Sequence, residues 1–413
     1  MKTTVVISCL LAVLLVAGIA VTQGQSSPEL AGTLGLAARY PGDEGISNDS
    51  AVVFSENFES IMTSDLYQRW THVDDGADGT ALYITRDTTA PSVGKYCLRI
   101  TGTKGQNVGG ALWQLLDRGY DQLYARFYCK FAPDAPYVHH FVHLQGRDST
   151  NRSPYPIGGA GGSPTGTDRF STSMDLTNRS TTNPPGGWSF YSYWSEMHSW
   201  QTPEGVGDGR ANPYYGNVFG PLEPLQAKRD EWQCVEIMIK LNDPGERNGE
   251  QAFWVDGKLI ERYGPGTMEG TWFRDKFRRS GVFNTDPQPF EGFLWSKSEL
   301  LKINTFWLQY YLASVFSNDW NPHDPDIPYN DNKAIVYFDN VVLATEYIGP
   351  VVSALPQGGD YDGDGQAGIS DVIRLIKLCM EEYPDASADY NRDGDCNVAD
   401  ALALLIDIMT GKS

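Results

Sequence analysis

The chain has 413 residues, 41% of them hydrophobic, and a formal net charge of −20. That length exceeds one ordinary domain, and the acidic balance argues against nucleic acid as a partner, because phosphate backbones are bound through clustered Lys and Arg. The acid is concentrated at one end: Asp360 to Ser413 holds 12 Asp and Glu against 4 Lys and Arg, a balance of −8.

In chain order, Lys2 precedes an apolar run from Val5 to Val21, followed by small and polar residues from Thr22 to Ser27. This pattern predicts a secretory signal peptide over residues 1–25 and a mature protein that is extracellular or held at the cell surface. No later segment approaches the ~18 apolar residues of a spanning helix, so no membrane span is expected in the mature chain. With Cys9 removed, Cys97, Cys129, Cys234, Cys379 and Cys396 remain, an odd number. Cys379 and Cys396 are candidates for a disulfide, and buried thiols are the alternative.

Residues 50–350 alternate short strand-like stretches with long loops rich in Gly, Pro, Asn and Asp. In Leu123 to Phe131 every second residue is apolar, the period of a half-buried strand. Val52 to Phe58, Ala81 to Arg86, Lys95 to Thr101, His139 to Gln145, Trp188 to Met197, Cys234 to Leu241, Phe306 to Val315 and Ala334 to Leu343 read the same way. Asp256-Gly257 predicts a tight hairpin within Ala252 to Tyr263. So many strands without interleaved helices require stacked sheets or a barrel, and a jelly-roll sandwich is expected. Arg147 to Gly187, Thr202 to Asp230, Gly264 to Pro289 and Ser317 to Asn332 are expected as long loops of the kind that bind ligands.

A Pro/Gly-bearing linker over residues 351–359 leads to a different composition over residues 360–413. Asp360, Asp362 and Asp364 precede Gly365, and Asp371 stands at loop position twelve; 29 residues on, Asp389, Asn391, Asp393, Gly394 and Asp400 repeat the template. Oxygen ligands at positions one, three, five and twelve, a backbone carbonyl at seven (Gln366 and Asp395) and Gly at six suit calcium, one ion per loop. Each loop runs into an apolar helix, with Val372, Ile373, Leu375, Ile376 and Leu378 in the first and Leu402, Leu404, Leu405, Ile408 and Met409 in the second. The two are expected to pack on one another, since neither buries its face alone.

This duplicated loop-helix pattern, with Asp at position twelve, resembles the type I dockerin over Asp360 to Met409. The resemblance implies a small α-helical calcium-binding domain whose partner is a cohesin domain on a scaffold or cell-surface protein. Recognition in dockerins uses loop positions ten and eleven, here Ile369-Ser370 and Val398-Ala399.

In the large domain, His139, His140 and His143 lie within one predicted strand, whose alternation puts His139 and His143 on one face and His140 on the other. Tyr191 and Tyr193 share a face of another. Aromatic rings cover the apolar faces of sugar rings, and cationic side chains pair with uronate carboxylates, so a polysaccharide is the expected substrate. The order His139-His140-Phe141-Val142-His143-Leu144, a Gly-rich loop, Tyr191 and Tyr193, Phe253-Trp254-Val255-Asp256-Gly257, then Phe338-Asp339-Asn340-Val341 resembles the concanavalin-like jelly-roll polysaccharide lyases. Alginate and glucuronan lyases are among them. The resemblance implies β-elimination, with His140 or His143 as base or carboxylate neutraliser, Tyr191 or Tyr193 as proton donor, and Arg126 or Arg147 as charge partner. It also implies a structural calcium held by Glu59 and Asp339. Two other functions stay open at this point: a non-catalytic carbohydrate-binding module, and a glycoside hydrolase, which needs a carboxylate pair that no E-x-D-x-E spacing here supplies.

Overall fold

The computed structural model describes residues 35–59, 62–87, 89, 94–104, 106–177, 182–312, 333–352, 359–361, 366–380 and 388–411. The expected signal peptide over residues 1–25, residues 353–358 of the expected linker, the Ser317 to Asn332 stretch expected as a loop and the ligand candidates Asp362 and Asp364 lie outside them. The chain divides into two compact units, Gly45–Pro350 on one hand and Met1–Glu44 with Val351–Ser413 on the other.

Gly45–Pro350 is mainly β. Among its described residues, strands numbered in chain order form two sheets. The first runs β13 (Lys258–Tyr263), β12 (Glu250–Val255), β11 (Gln233–Lys240), β6 (Gln122–Phe131), β18 (Lys333–Ala344), β4 (Tyr96–Thr103) and β3 (Leu82–Arg86), with β1 (Val52–Glu56) also paired to β18. The second runs β16 (Gln288–Pro289), β14 (Glu269–Phe273), β15 (Lys276–Arg278), β10 (Asn217–Phe219), β9 (Gly187–Tyr193), β8 (Arg169–Thr177), β7 (Val142–Asp148), β17 (Leu301–Tyr311), β5 (Gly109–Tyr120) and β2 (His72–Asp74). The pairing is antiparallel except between β10 and β15. One short helix, α1 (Leu66–Arg69), buries Leu66 in the core.

The sheets meet through their apolar faces, as a sandwich requires. Phe141 of the second sheet lies 6.1 Å from Phe127 and 5.1 Å from Phe338 of the first. Phe190 meets Phe253 at 5.4 Å. Each ring withdrawn from water in this way contributes roughly 1.5–3 kcal/mol. On β6 the expected alternation holds: Leu123, Ala125, Phe127, Cys129 and Phe131 are in this core. At the predicted hairpin, Asp256 and Gly257 both take positive φ, 52° and 78°, the backbone that a primed turn demands.

Two strands depart from the expectation. β8 lies inside the predicted Arg147 to Gly187 loop, because its Ser and Thr content hides an alternation in which Phe170, Met174 and Leu176 point into the core. β5 carries buried residues on both faces, Leu112 inward and Trp113 outward, so it lacks the period-two signal. Cys97, Cys129 and Cys234 are buried thiols, and the candidate Cys379–Cys396 bridge is not formed.

In the second unit, α2 (Ile369–Cys379) and α3 (Val398–Thr410) pack through Val372, Leu375, Ala401 and Leu404, joined by Ala388. Not all of the expected packing residues take part. Ile373, Leu402 and Met409 are 46%, 45% and 58% exposed. With Ile369 on α2, and Val398 and Ile406 on α3, also exposed, they leave an apolar stripe on each helix.

Candidate active site

Alternation sets the outer face of the second sheet. Register places Trp113 of β5, Trp307 of β17, His143 of β7, Ser173 of β8 and Tyr191 of β9 opposite one another in one row. A second row on the same face joins Thr305, Gln145, Ser171 and Tyr193. Candidate residues far apart in sequence thus meet on neighbouring strands.

His140 joins this face against the expectation. Strict alternation from His139 to Gln145 separates His140 from His143, but the backbone amides of His139 and His140 both donate to the Tyr311 carbonyl, at 2.9 and 3.0 Å. Two residues opposing one is a bulge, and a bulge re-aims the side chains before it. Phe141 then enters the core, while the His140 ring stacks on Tyr311 at 5.9 Å and lies 5.2 Å from Tyr191 and 6.1 Å from His143.

His140 Nδ1 donates to Asp175 Oδ2 at 2.8 Å. Asp175 is buried, and its other oxygen accepts from the Phe141 amide at 2.9 Å. Burial disfavours the imidazolium, yet the Asp175 carboxylate, by attraction and by this hydrogen bond, holds the His140 pKa above its ordinary value. Burial likewise pushes Asp175 up, and the charge on His140 more than reverses it, leaving the carboxyl below its usual range.

His143 is the opposite case. It is buried, stacks on Trp307 at 4.9 Å, and donates from Nε2 to Gln309 Oε1 at 3.0 Å. Burial lowers its pKa to about 4, so the ring is neutral at neutral pH, and with the proton on Nε2 the lone pair is on Nδ1. Nδ1 is buried with no hydrogen-bond partner. Adjacent imidazoles with pKa values driven apart are the pattern expected of acid and base roles.

Tyr191 and Tyr193 are half-buried with their hydroxyls 3.3 Å apart. Burial pushes both phenols up, for Tyr191 reinforced by Tyr193, so both keep their protons at neutral pH. Gly216 packs flat on the Tyr191 ring, where a Cβ would stand 2.5 Å from a ring carbon.

The remaining candidates do not join this centre. Arg126 is on β6 of the other sheet, donating to the carbonyls of Gly349 and Asn340, each at 3.2 Å. Arg147 is on β7 with His143, but four residues on, about 13 Å along the strand. Glu59 accepts from the Lys95 and Tyr96 amides at 2.7 and 2.6 Å. Asp339 is buried and accepts from the Asn340 amide at 2.7 Å. Among the described residues, no three His, Cys, Asp or Glu are grouped closely enough to hold a metal, here or in the helical unit. Asp175, Gln309, Trp113 and Trp307 were not singled out in the sequence, and only the Ser/Asp alternation of β8 carries a signal for the first.

Buried neutral histidines make stability depend on pH. His143 and His198 are both held by burial at about 4, below the 6.5 of a free side chain. The unfolded chain therefore binds more protons between these values. The stability from keeping the two rings neutral is complete above pH 6.5 and is lost as pH falls toward 4, at about 1.4 kcal/mol per pH unit for each proton. Urea midpoints should fall between pH 6.5 and 4, and the fall should be shallower in His198→Gln.

In the helical unit the second loop is formed by backbone bonds to its own carboxylates. Asp389 accepts from the Asp393 and Gly394 amides, each at 3.1 Å, and Asp400 accepts from Asn391 and Asn397 at 3.1 and 2.8 Å. Gly394 makes the turn with φ 95°. In the first loop Asp371 accepts from the Tyr361 and Gly368 amides at 2.7 and 2.6 Å. No helix among the described residues is long and apolar enough to cross a membrane.

No protein-family model matches the chain, and no curated protein matches it. Solved structures similar to it include the marine alginate lyase from Aplysia kurodai, at 13% identity over 72% of this chain and 100% of that one, with a TM-score of 0.46. Others are the alginate lyase from Chlorella virus, at 14% identity over 71% and 99% with a TM-score of 0.44, and the endo-β-1,4-glucuronan lyase from the fungus Trichoderma reesei, at 12% over 71% and 95% with a TM-score of 0.39.

Proposed function

We propose that the sandwich is a lyase that cleaves a uronic-acid-containing polysaccharide by β-elimination. The observation that carries this is the meeting, on one sheet face, of a neutral His143, a His140 whose proton is favoured by Asp175, and the protonated pair Tyr191 and Tyr193. His143 Nδ1 takes the C5 proton of the uronate. The C5–H electrons form the C4–C5 double bond, the C4–O4 bond breaks, and one tyrosine hydroxyl protonates O4 as it leaves. His140, hydrogen-bonded to Asp175, faces the negative charge that develops on the carboxylate, and its protonated form stabilises that charge.

A hydrolase on the same face lacks support. On the outward faces of β7, β8 and β9, Asp175 is the only carboxylate among the described residues, and it is engaged with His140 and the Phe141 amide. A retaining glycosidase needs two carboxylates about 5 Å apart. The test is incubation of the mature protein with alginate and glucuronan while following the ultraviolet absorbance of the unsaturated product. Reducing ends without that absorbance would point to hydrolysis, and retardation in affinity gels without either would point to a binding module. Tyr191→Phe and Tyr193→Phe separate the two phenols: loss of the donor lowers kcat by about 10²-fold or more, and loss of its neighbour leaves most of it.

For the helical unit the proposal is a secreted, dockerin-type tether. Its oxygen donors and the positive φ of Gly394 fit calcium. Asp360, Asp362, Asp364 and Asp371 would hold one ion, with the Gln366 carbonyl, and Asp389, Asn391, Asp393 and Asp400 the other, with the Asp395 carbonyl. Calcium would supply a cross-link that fixes each loop at the start of its helix. The stripes that begin at Ile369 and Val398 are the surface proposed to meet a cohesin.

A further inference from the structure

Arg147 is the largest unexplained charge on the outer face of the second sheet. It is fully buried, and its Nε, Nη1 and Nη2 have no hydrogen-bond partner. Its guanidinium lies 4.6 Å over the Trp113 ring, a ring whose own Nε1 is buried and unpartnered. The basic neighbours are spoken for: Lys302, opposite Arg147 in register, is paired with Asp121, and Arg169 with Asp168. Burial, joined by repulsion from Arg152, lowers the Arg147 pKa to about 10. A buried cation beside another cation, with no acceptor, costs free energy that an incoming anion recovers.

The atoms left unpartnered form a path. His143 Nδ1, Trp307 Nε1, Trp113 Nε1 and the Arg147 guanidinium are buried polar groups without partners, and His143, Trp307 and Trp113 share one row across three strands. Buried polar atoms are nearly always satisfied, so unpartnered atoms that follow one row of the outer face suit a polar ligand.

We propose that Arg147, seated on Trp113, binds the carboxylate of a second uronate in the bound chain, next to the sugar that reacts at His143. Trp307 stands between Trp113 and His143 in register, so the guanidinium on Trp113 serves a neighbouring sugar and not the reacting one. A planar guanidinium held against an indole presents its edge for bidentate pairing with a carboxylate. Arg152 is exposed and bonded to the carbonyls of Leu116 and Asp117 at 3.0 and 3.5 Å; because the Arg147 guanidinium is buried, the subsite requires neighbouring side chains to move as the ligand enters. The site thereby requires a run of acidic sugars.

The subsite rests on the uronate-lyase reading for its ligand, and calorimetry separates the two. Binding of a purified oligouronate is measured in the full-length His143→Ala protein, with and without Arg147→Met. The added substitution is expected to weaken binding about 10- to 100-fold. In the active protein Arg147→Met is expected to raise KM on long oligouronates by a similar factor, with kcat within about 2-fold. It also removes an unpaired buried charge, so the melting temperature of the free protein should rise, which shows that the variant folds. Undiminished affinity, a fall in kcat at constant KM, or no oligouronate binding by either the His143→Ala or the wild-type protein would overturn the subsite. Arg147-dependent binding by a wild type that forms no unsaturated product would leave the subsite standing and remove the lyase.

Discussion

His143→Ala is expected to lower kcat on a uronate polymer by roughly 10²- to 10⁴-fold, the usual contribution of a positioned general base. The fold should survive, because the ring contacts Trp307 and Gln309 on the outer face and takes no part in the apolar core between the sheets. The pH profile carries the same assignment. A base with a pKa of about 4 is already unprotonated at pH 6, so kcat/KM should stay level on the acid side until about pH 4. On the alkaline side it should fall as His140 loses its proton at a pKa above the ordinary histidine value. Asp175→Asn should draw that alkaline limb toward neutrality, a shift that a purely structural Asp175 would not produce.

Removal of calcium should have the other large effect. Among the described residues the shared core of α2 and α3 has five fully buried side chains, Val372, Leu375, Ala388, Ala401 and Leu404, with partly buried residues such as Ile376 and Leu405 around them, a small core for a unit without a further constraint. A chelator is expected to abolish the helical circular dichroism of the tail and binding of a cohesin, with both restored by excess calcium, while the sandwich keeps its own unfolding transition. Asp400→Ala should lose one ion by calorimetry and much of the helical signal, since its carboxylate also holds the Asn391 and Asn397 amides. Helicity that ignores the chelator would contradict the calcium reading.

Much of the sandwich is legible in the sequence because one-sided strands write their burial as period two. β6 does so through nine residues, and Asp256-Gly257 declares its turn. β5 and β8 do not. One is buried on both faces and loses the alternation, and the other alternates Ser and Asp with apolar residues in a stretch whose composition reads as loop. The site suffers accordingly, for β8 brings Asp175 and β5 brings Trp113. The pairing of His140 with the His143 face depends on two amides sharing the Tyr311 carbonyl, a bulge that no periodicity announces.

Choosing between Arg126 and Arg147 needs the strand order, which places one on each sheet. In the helical unit, Ile373, Leu402 and Met409 read as core and are exposed, because a short helix pair has only one seam and residues outside it stay in solvent.

The chemistry of the sheet face is tested most directly by mass spectrometry of the oligosaccharides released from alginate or glucuronan. Elimination predicts non-reducing ends that carry a C4–C5 double bond and are one water lighter than hydrolysis products, and their appearance should vanish with His143. Products with saturated ends, or release undiminished in His143→Ala, would contradict the assignment.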